Sequence, residues 1–496
     1  MTIKKLCILL AFFLLLSGCA KEAPPATQSA VSATVSTESA EPFVFFDIYA
    51  VNDLHGKLAD TDFQPGVDEL STYLKQSENT ILLSTGDMWQ GASESNQTGG
   101  LIVTEWMNRM GFAAMTLGGH EFDWGEAQIR KNLELAQFPF LAINIYDRQT
   151  LARVDYCQSS VIVDMDGAQI GIIGAIGNCY NSISSENTKD VYFINGPELT
   201  QLVQAEAEKL RGDGVDFIIL AIHDGYDQNG DGVNAVSVSK DDISDYYDTT
   251  LSAGYVDLVF EADSHYWYTL TDQHGVYHLQ AGGNNTGVSH ATVMLDLQDG
   301  TSSVLTAEVI PASKYYISED DPMVSELMEK YAHLIESANQ ILGTNGKYRT
   351  KEALCQLVAD LYCRAGVEKW GKEYDIVLGG GYISCRSPGY LPAGEVTYSQ
   401  LQSLLPFDNK ITLCSISGRD LLDKFLETDH YAYYIKPTAY GESIRSSIDP
   451  NATYYVVTDS YTSDYAYNNM TVIDTYSDTI FARDLMADHI RSGGLS

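Results

Sequence analysis

Short His/Asp clusters, each set directly behind an apolar run, constrain this chain more than any other feature. In order they read Asn52-Asp53-Leu54-His55-Gly56, Gly86-Asp87, Gly119-His120-Glu121-Phe122-Asp123, His223-Asp224-Gly225 and Asp263-Ser264-His265. The runs before them are Phe45 to Val51, Ile81 to Ser84, Ala113 to Leu117, Phe217 to Ile222 and Leu258 to Phe260. Nearly continuous Val/Ile/Leu runs read as strands covered on both faces. An α/β fold delivers functional side chains at the carboxyl ends of such strands. Helical stretches alternate with them at Val67 to Gln76, Leu101 to Met110, Glu126 to Leu135 and Pro197 to Leu210. Residues 43 to about 312 therefore form one alternating αβ region.

Carboxylates and imidazoles are the ligand mix of a divalent-metal centre. Asp53 and His55 stand at i and i+2 just past a strand, so both can turn toward one ion. Asp87 follows Gly86, which allows a close backbone approach, and one carboxylate can bridge two metals. His120 follows the turn Gly118-Gly119, and His223 and His265 end two further strands. A single histidine is usually structural. A series of such sites in one αβ region points to a metal centre.

At the N-terminus, Lys4 and Lys5 precede an apolar run from Leu6 to Leu16, then Leu16-Ser17-Gly18-Cys19. This is the pattern of a secretory signal, too short for a comfortable membrane span. The tetrapeptide resembles a bacterial lipobox, which implies cleavage before Cys19 and acylation of its thiol. Ala20 to Glu41 is rich in Ala, Ser, Thr, Pro and Glu and reads as a flexible tether. The expected location is the outer face of a bacterial cell membrane, through a lipid anchor.

The net charge of −37 excludes the basic surface that nucleic acid requires. It also means that an anionic ligand needs locally placed cations. Beyond Cys7 and Cys19 the cysteines are Cys157, Cys179, Cys355, Cys363, Cys385 and Cys414. An exported chain can pair them; Cys157 with Cys179 is the first pair to consider, and buried thiols are the alternative. Asp227-Gln228-Asn229-Gly230-Asp231-Gly232 is similar to half of an EF-hand loop, but Val238 stands at the twelfth position, so an acidic loop is expected.

Met323 to Leu342 is amphipathic, with Met323, Leu327, Tyr331 and Ile335 on one side, and reads as an interdomain helix. A second αβ region follows. It has a helix from Lys351 to Gly366 and a strand from Tyr374 to Leu378 running into Gly379-Gly380-Gly381. Strands are expected again at Ile411 to Ser417 and Tyr454 to Thr458. The tyrosine-rich stretch from Tyr431 to Tyr440 reads as a surface segment.

From about Phe45 to its end the chain resembles the calcineurin-like metallophosphoesterases. More specifically it resembles the bacterial two-domain 5′-nucleotidase family, with its UDP-sugar hydrolase and 2′,3′-cyclic phosphodiesterase members. The resemblance implies a four-layer α/β/β/α metallophosphoesterase domain followed by a 5′-nucleotidase-type αβ C-terminal domain. The expected division is signal 1–18, tether 19–42, metallophosphoesterase domain 43–320, interdomain helix 321–345 and C-terminal substrate-binding domain 346–496. It implies Asp53, His55, Asp87 and His265 as ligands of one ion and Asp87 and His223 as ligands of a second. His120, paired with Asp123, would contact the substrate phosphate. Gly379-Gly380-Gly381…Arg386, Pro406-Phe407-Asp408-Asn409 and Asp459-Ser460-Tyr461 match a nucleoside-binding domain. There Phe407 and Tyr461 would sandwich a base and Arg386 would bind an anionic group.

The chain departs from the family in places. Gly-Asn-His-Glu is here Gly118-Gly119-His120-Glu121, so a metal-ligating Asn is Gly119. Gly-His-Ser/Thr-His is here Ala262-Asp263-Ser264-His265, so Asp263 stands as a replacement ligand. Leu378 replaces the Asn before the glycines, Tyr382-Ile383-Ser384-Cys385 intervenes before Arg386, and a later glycine motif is left as Ser463-Asp464-Tyr465. Two readings follow. One is an exported monomeric phosphoester hydrolase acting on nucleotides or related esters with one or two divalent ions (Mn, Zn, Mg or Ca). The other is a non-catalytic surface lipoprotein that binds a nucleotide or similar ligand.

Overall fold

The apolar run before Asp53 forms the strand Phe43–Val51, which lies inside a six-stranded sheet. In the computed structural model the sheet runs Thr301–Pro311, Gly287–Asp296, Phe43–Val51, Thr80–Ser84, Ala114–Thr116, Phe140–Leu141. The last four strands are parallel and the first two antiparallel. A second six-stranded sheet runs Trp267–Thr271, Tyr277–Ala281, Leu258–Phe260, Phe217–His223, Ala168–Ile176, Ser160–Met165. The structure describes residues 43–59, 66–177, 183, 186–225, 254–272, 274–316, 321–386, 388–426, 433–437, 444–466 and 469–495. The signal, the tether with Cys19, Cys179 and the Asp227–Gly232 loop lie outside them; Cys157 is buried.

The two sheets pack face to face. Ile48, Leu83 and Leu141 of the first meet Ile172, Phe217, Ile219 and Phe260 of the second. Alternate residues of the same strand, Ile218 and Leu220, point the other way, onto Leu199, Val203 and Leu210 of the helix Pro197–Gly212. The outer face of the first sheet is covered by Leu70, Ile102, Trp106, Ile129 and Leu327 from helices Asp68–Leu74, Leu101–Met110, Glu126–Leu135 and Pro322–Ile335. Burying each such Leu or Ile side chain stabilises by about 1.5–3 kcal/mol. The result is the expected four-layer α/β/β/α sandwich. Gly174 sets one close approach between its sheets, because a Cβ there would collide with Leu141.

The helix expected to reach Leu342 is shorter. Asp321 caps it, accepting from the Met323 amide at 2.9 Å, and Pro322 occupies its first turn. It ends at Ile335; Glu336–Asn339 tighten into a 3₁₀ turn and Ile341–Asn345 becomes a strand antiparallel to Gly394–Thr397. Leu342 keeps the helical spacing from Ile335 and is buried, yet strand pairing and the close approach of Ile490 to Gly343 decide its backbone.

The C-terminal sheet has the order Tyr433–Pro437, Ile376–Tyr382, Thr453–Asp459, Ile411–Ser417, Thr471–Thr475. Helices Lys351–Trp370 and Ala482–Arg491 cover one face through Leu354, Val358, Met486 and Ile490. Val377, Leu378, Ile416 and Leu421 pack on the other. Part of the tyrosine-rich stretch is the edge strand Tyr433–Pro437. The triple glycine lies within its strand, not after it. A side chain on Gly379 would strike the backbone of Cys363 on the helix above.

The two parts touch. Ser93 Oγ donates to Gln402 Oε1 at 2.9 Å and Gln97 Nε2 donates to the same oxygen at 2.8 Å. Residues 42–496 form one compact unit.

Candidate metal centre

The turns after the strands have unusual backbone. Asp53, His55, Asp87, Asp263 and His265 all have φ between 47° and 68°. This left-handed region is uncommon for residues with a Cβ, and Asp and His are among those that tolerate it best. Strain gathered in one place is typical of a working site. Glycines make room there: a Cβ on Gly86 would lie 2.7 Å from His223 Nδ1, and one on Gly118 would strike Asp87.

The side chains from these turns converge. Potential ligand atoms of Asp53, His55 and His265, of His55, Asp87 and His120, and of Asp53, Asp87 and His223 each lie within 4.8 Å of one another. His55 Nε2 is 3.1 Å from His265 Nε2, and His265 Nε2 is 3.4 Å from Asp53 Oδ1. His223 Nε2 is 3.2 Å from Asp87 Oδ2, and His120 Nε2 is 3.9 Å from the same oxygen. Asp263 opens onto the cleft but joins none of these groups; its backbone amide donates to Asp53 Oδ2 at 3.1 Å. Gly119 has φ −65° and ψ −44°, ordinary helical geometry that an Asn could adopt.

The donor set fits divalent ions. His55 Nδ1 lies 2.9 Å from the Gln90 carbonyl and His223 Nδ1 lies 2.7 Å from that of Thr85. A carbonyl only accepts, so each Nδ1 carries a proton and Nε2 faces the carboxylates, the arrangement of metal-ligating histidines. Burial opposes charge on His223, but Asp87 overcomes it and holds the imidazole well above its usual range, so an ion there would take the place of the Nε2 proton. Burial, then His265 and His120, pushes His55 down to about 3, which keeps it neutral. Burial would raise Asp53 and Asp87, but neighbouring histidines overcome it and hold both carboxyls low.

His120 differs. Its Nδ1 pairs with Asp123 Oδ2 at 2.7 Å. Burial disfavours its charge, but Asp123 and Asp87 overcome this and raise it to about 9. Burial lifts Asp123 as well. The pair shares one proton, and the added attraction of Asp87 puts it on His120.

A cleft of about 890 Å³ runs from this centre to the C-terminal part. His55, Asp87, His120, Asp123, Asp263 and His265 line it from the centre, and Arg386, Phe407 and Tyr461 line it from the C-terminal part. Asp53 and His223 are buried beneath it. The Phe407 ring stacks on His120 with centroids 5.3 Å apart, and the Arg386 guanidinium sits 5.0 Å from its centre. Tyr461 packs instead with Tyr382, at 5.7 Å.

Some residues of the site carried no assigned role in the sequence. The Asn52 amide donates to Asp53 Oδ2 at 2.7 Å. Glu121 gathers the amides of Asp87, Met88 and Gly118. Both stand inside the quoted motifs, which was the available signal. Arg483 had none. It reaches from the last helix to the carbonyls of Pro406 at 3.1 Å and Phe407 at 3.3 Å, and pairs with Asp408.

Fold and cleft together describe an α/β/β/α sandwich and an αβ C-terminal part that meet around a carboxylate- and histidine-lined cleft. Residues 335–472 match the family described as 5′-nucleotidase, C-terminal domain. The chain is 25% identical over 429 residues to an apyrase of Tabanus yao, covering 76% of this chain and 72% of that one. It is 25% identical over 438 residues to protein UshA of Yersinia enterocolitica, covering 76% of each. Its fold follows the crystal structure of a 5′-nucleotidase precursor from Thermus thermophilus, with TM-score 0.70 at 18% identity over 90% of this chain and 96% of that one. The chain is thus similar to these proteins over most of its length, and the family-model match lies in its C-terminal part.

Proposed function

We propose that the protein is an exported, metal-dependent phosphoester hydrolase acting on nucleotides or related phosphate esters. The observation that carries this is the sharing of Asp87 between two convergent ligand groups, with the His120–Asp123 pair beside it. Asp53, His55, His265, Asp87 and His223 would hold one or two divalent ions of the Mn, Zn, Mg or Ca kind. When bound, such ions supply Lewis-acid charge at the phosphoryl group and lower the pKa of water. Protonated His120 donates toward the phosphoryl or leaving oxygen, with Asp123 holding its ring. Arg386 attracts the anionic group, and Phe407 offers an aromatic face to the leaving portion. In this reading 43–320 is the chemical domain, 346–496 selects the ester, and Cys19 carries the lipid anchor.

The test uses residues 43–496 with Mn²⁺ and an aryl phosphate or nucleotide. Asp87→Asn should lower turnover by a factor on the order of 100 or more, since the carboxylate common to both groups is weakened. Equal phosphate release by both proteins would end the reading. The non-catalytic binder is kept as a second reading because Asp263 stands outside every convergent group and Gly119 offers no side chain. Bound metal separates the two: two equivalents per chain support hydrolysis, and one or none supports a binder.

A further inference from the structure

The excursion between the glycine strand and Arg386 passes close to a second cysteine. The Ile383 amide donates to Gly381 O at 2.9 Å and the Arg386 amide donates to Leu404 O at 2.8 Å. Between them the Cys385 amide donates to Cys355 Sγ at 3.4 Å. Cys355 stands early in the helix Lys351–Trp370, and both residues are buried. With an N–Cα bond of about 1.5 Å, the Cys385 Cα is within roughly 5 Å of the opposite sulfur. That sets the opposite thiol beside the Cys385 backbone, and rotation of the two side chains is what would bring the sulfurs together.

We propose that Cys355 and Cys385 are a disulfide site, closed when the exported chain folds, that ties the Arg386 segment to the helix. The proposal rests on the exported reading above. The oxidant is a disulfide, of a small thiol or of an envelope oxidoreductase. One cysteine thiolate attacks it, forming a mixed disulfide and releasing one thiolate; the second cysteine displaces the other. The two cysteines lose two electrons and two protons, and the oxidant leaves as two thiols. In the folded chain the Cys355 thiol and burial push the Cys385 thiol well above the usual range. Little thiolate is then present, so the exchange belongs to folding, before the pair is covered. The bond fixes the residue next to Arg386, whose guanidinium lies over Phe407 in the cleft. The residues that lengthen the route to Arg386 are thus the ones that anchor it.

The full chain is produced with export to an oxidising compartment, alkylated under denaturing conditions without reduction, digested and weighed. The expected product joins the Cys355 and Cys385 peptides, two hydrogens lighter than their sum, with Cys363 and Cys414 alkylated. Alkylation of both Cys355 and Cys385, or joining of either to another cysteine, overturns the proposal. This mapping needs no enzymatic activity, so its failure is distinct from failure of the hydrolase reading. With an aryl phosphate, reductant should raise KM severalfold in the wild type and leave the Cys355→Ser/Cys385→Ser variant unchanged. Metal content should stay constant in both. A joined pair whose reduction leaves KM unchanged would overturn the anchoring role.

Discussion

Glu121 is fully buried, and both its oxygens accept backbone amides: Gly118 at 2.7 Å and Asp87 at 2.9 Å on one, Met88 at 2.8 Å on the other. Burial, then Asp87, lifts its carboxyl to about 7. Glu121→Gln sets an amide donor against backbone donors, and each donor left unsatisfied costs about 1–3 kcal/mol. The variant should melt several degrees lower and bind Mn²⁺ at least about tenfold more weakly, because the Asp87 turn is what Glu121 holds. Calorimetry and metal titration read both; unchanged values would remove Glu121 from the site. His120 carries the pH dependence. Its proton is held below about pH 9 and lost as pH rises through that value. Hydrolysis should therefore fall above about pH 9, and His120→Gln should lose that limb along with roughly 100-fold of kcat. A limb that persists in the variant would assign it to another group.

At the scale of elements, the last helix controls the aromatic loop of the cleft. Arg483 is buried and holds the carbonyls of Leu405, Pro406 and Phe407 and the carboxylate of Asp408, with Tyr398 Oη accepting from its Nε at 3.1 Å. Truncation leaves those oxygens and Asp408 without their cation. Charged hydrogen bonds of this kind contribute about 1.5–3 kcal/mol. Arg483→Ala should raise KM about tenfold or more with bound metal unchanged. Arg483→Lys should recover only part, since an ammonium cannot reach several acceptors as a fork. A change confined to kcat would mean that the loop does not position the ester. Neighbouring elements were legible to different degrees. Leu101–Met110 and Glu126–Leu135 end where the sequence pattern ends them, because one apolar stripe and a flanking glycine or extended residue bound each helix. The stretch past Ile335 was misread, because Leu342 satisfies a helical repeat and a strand equally well.

For the whole molecule the dominant quantity is the net charge of −37. The cleft itself mixes Arg386 and Lys410 with Asp123, Asp263, Asp408 and Asp459. A dianionic ester approaches against the long-range field and is captured only near the centre. Salt screens that field over about 10 Å at 0.1 M. Raising ionic strength from about 0.01 to 0.2 M should therefore increase kcat/KM severalfold, through association rather than turnover. A decrease would show that local cations outweigh the overall charge.

The sequence by itself determined the ligand-bearing turns and the alternating αβ region that carries them, while the four-layer sandwich was what the family resemblance implied. Asp53, His55, Asp87, His120, His223 and His265 each follow an apolar run, and a buried strand can end nowhere but at one edge of its sheet. Parallel strands bring such edges together within each sheet, and the face-to-face packing of the two sheets brings the two sets to one place. Only the tertiary structure decided the rest. It kept Asp263 out of the convergent groups, stacked Phe407 on His120, and brought Arg483 to the aromatic loop. It also set Cys385 beside Cys355. Those contacts join segments far apart in the chain and depend on how helices seat on the second sheet. No local periodicity records such seating, because it is settled by packing across the cleft.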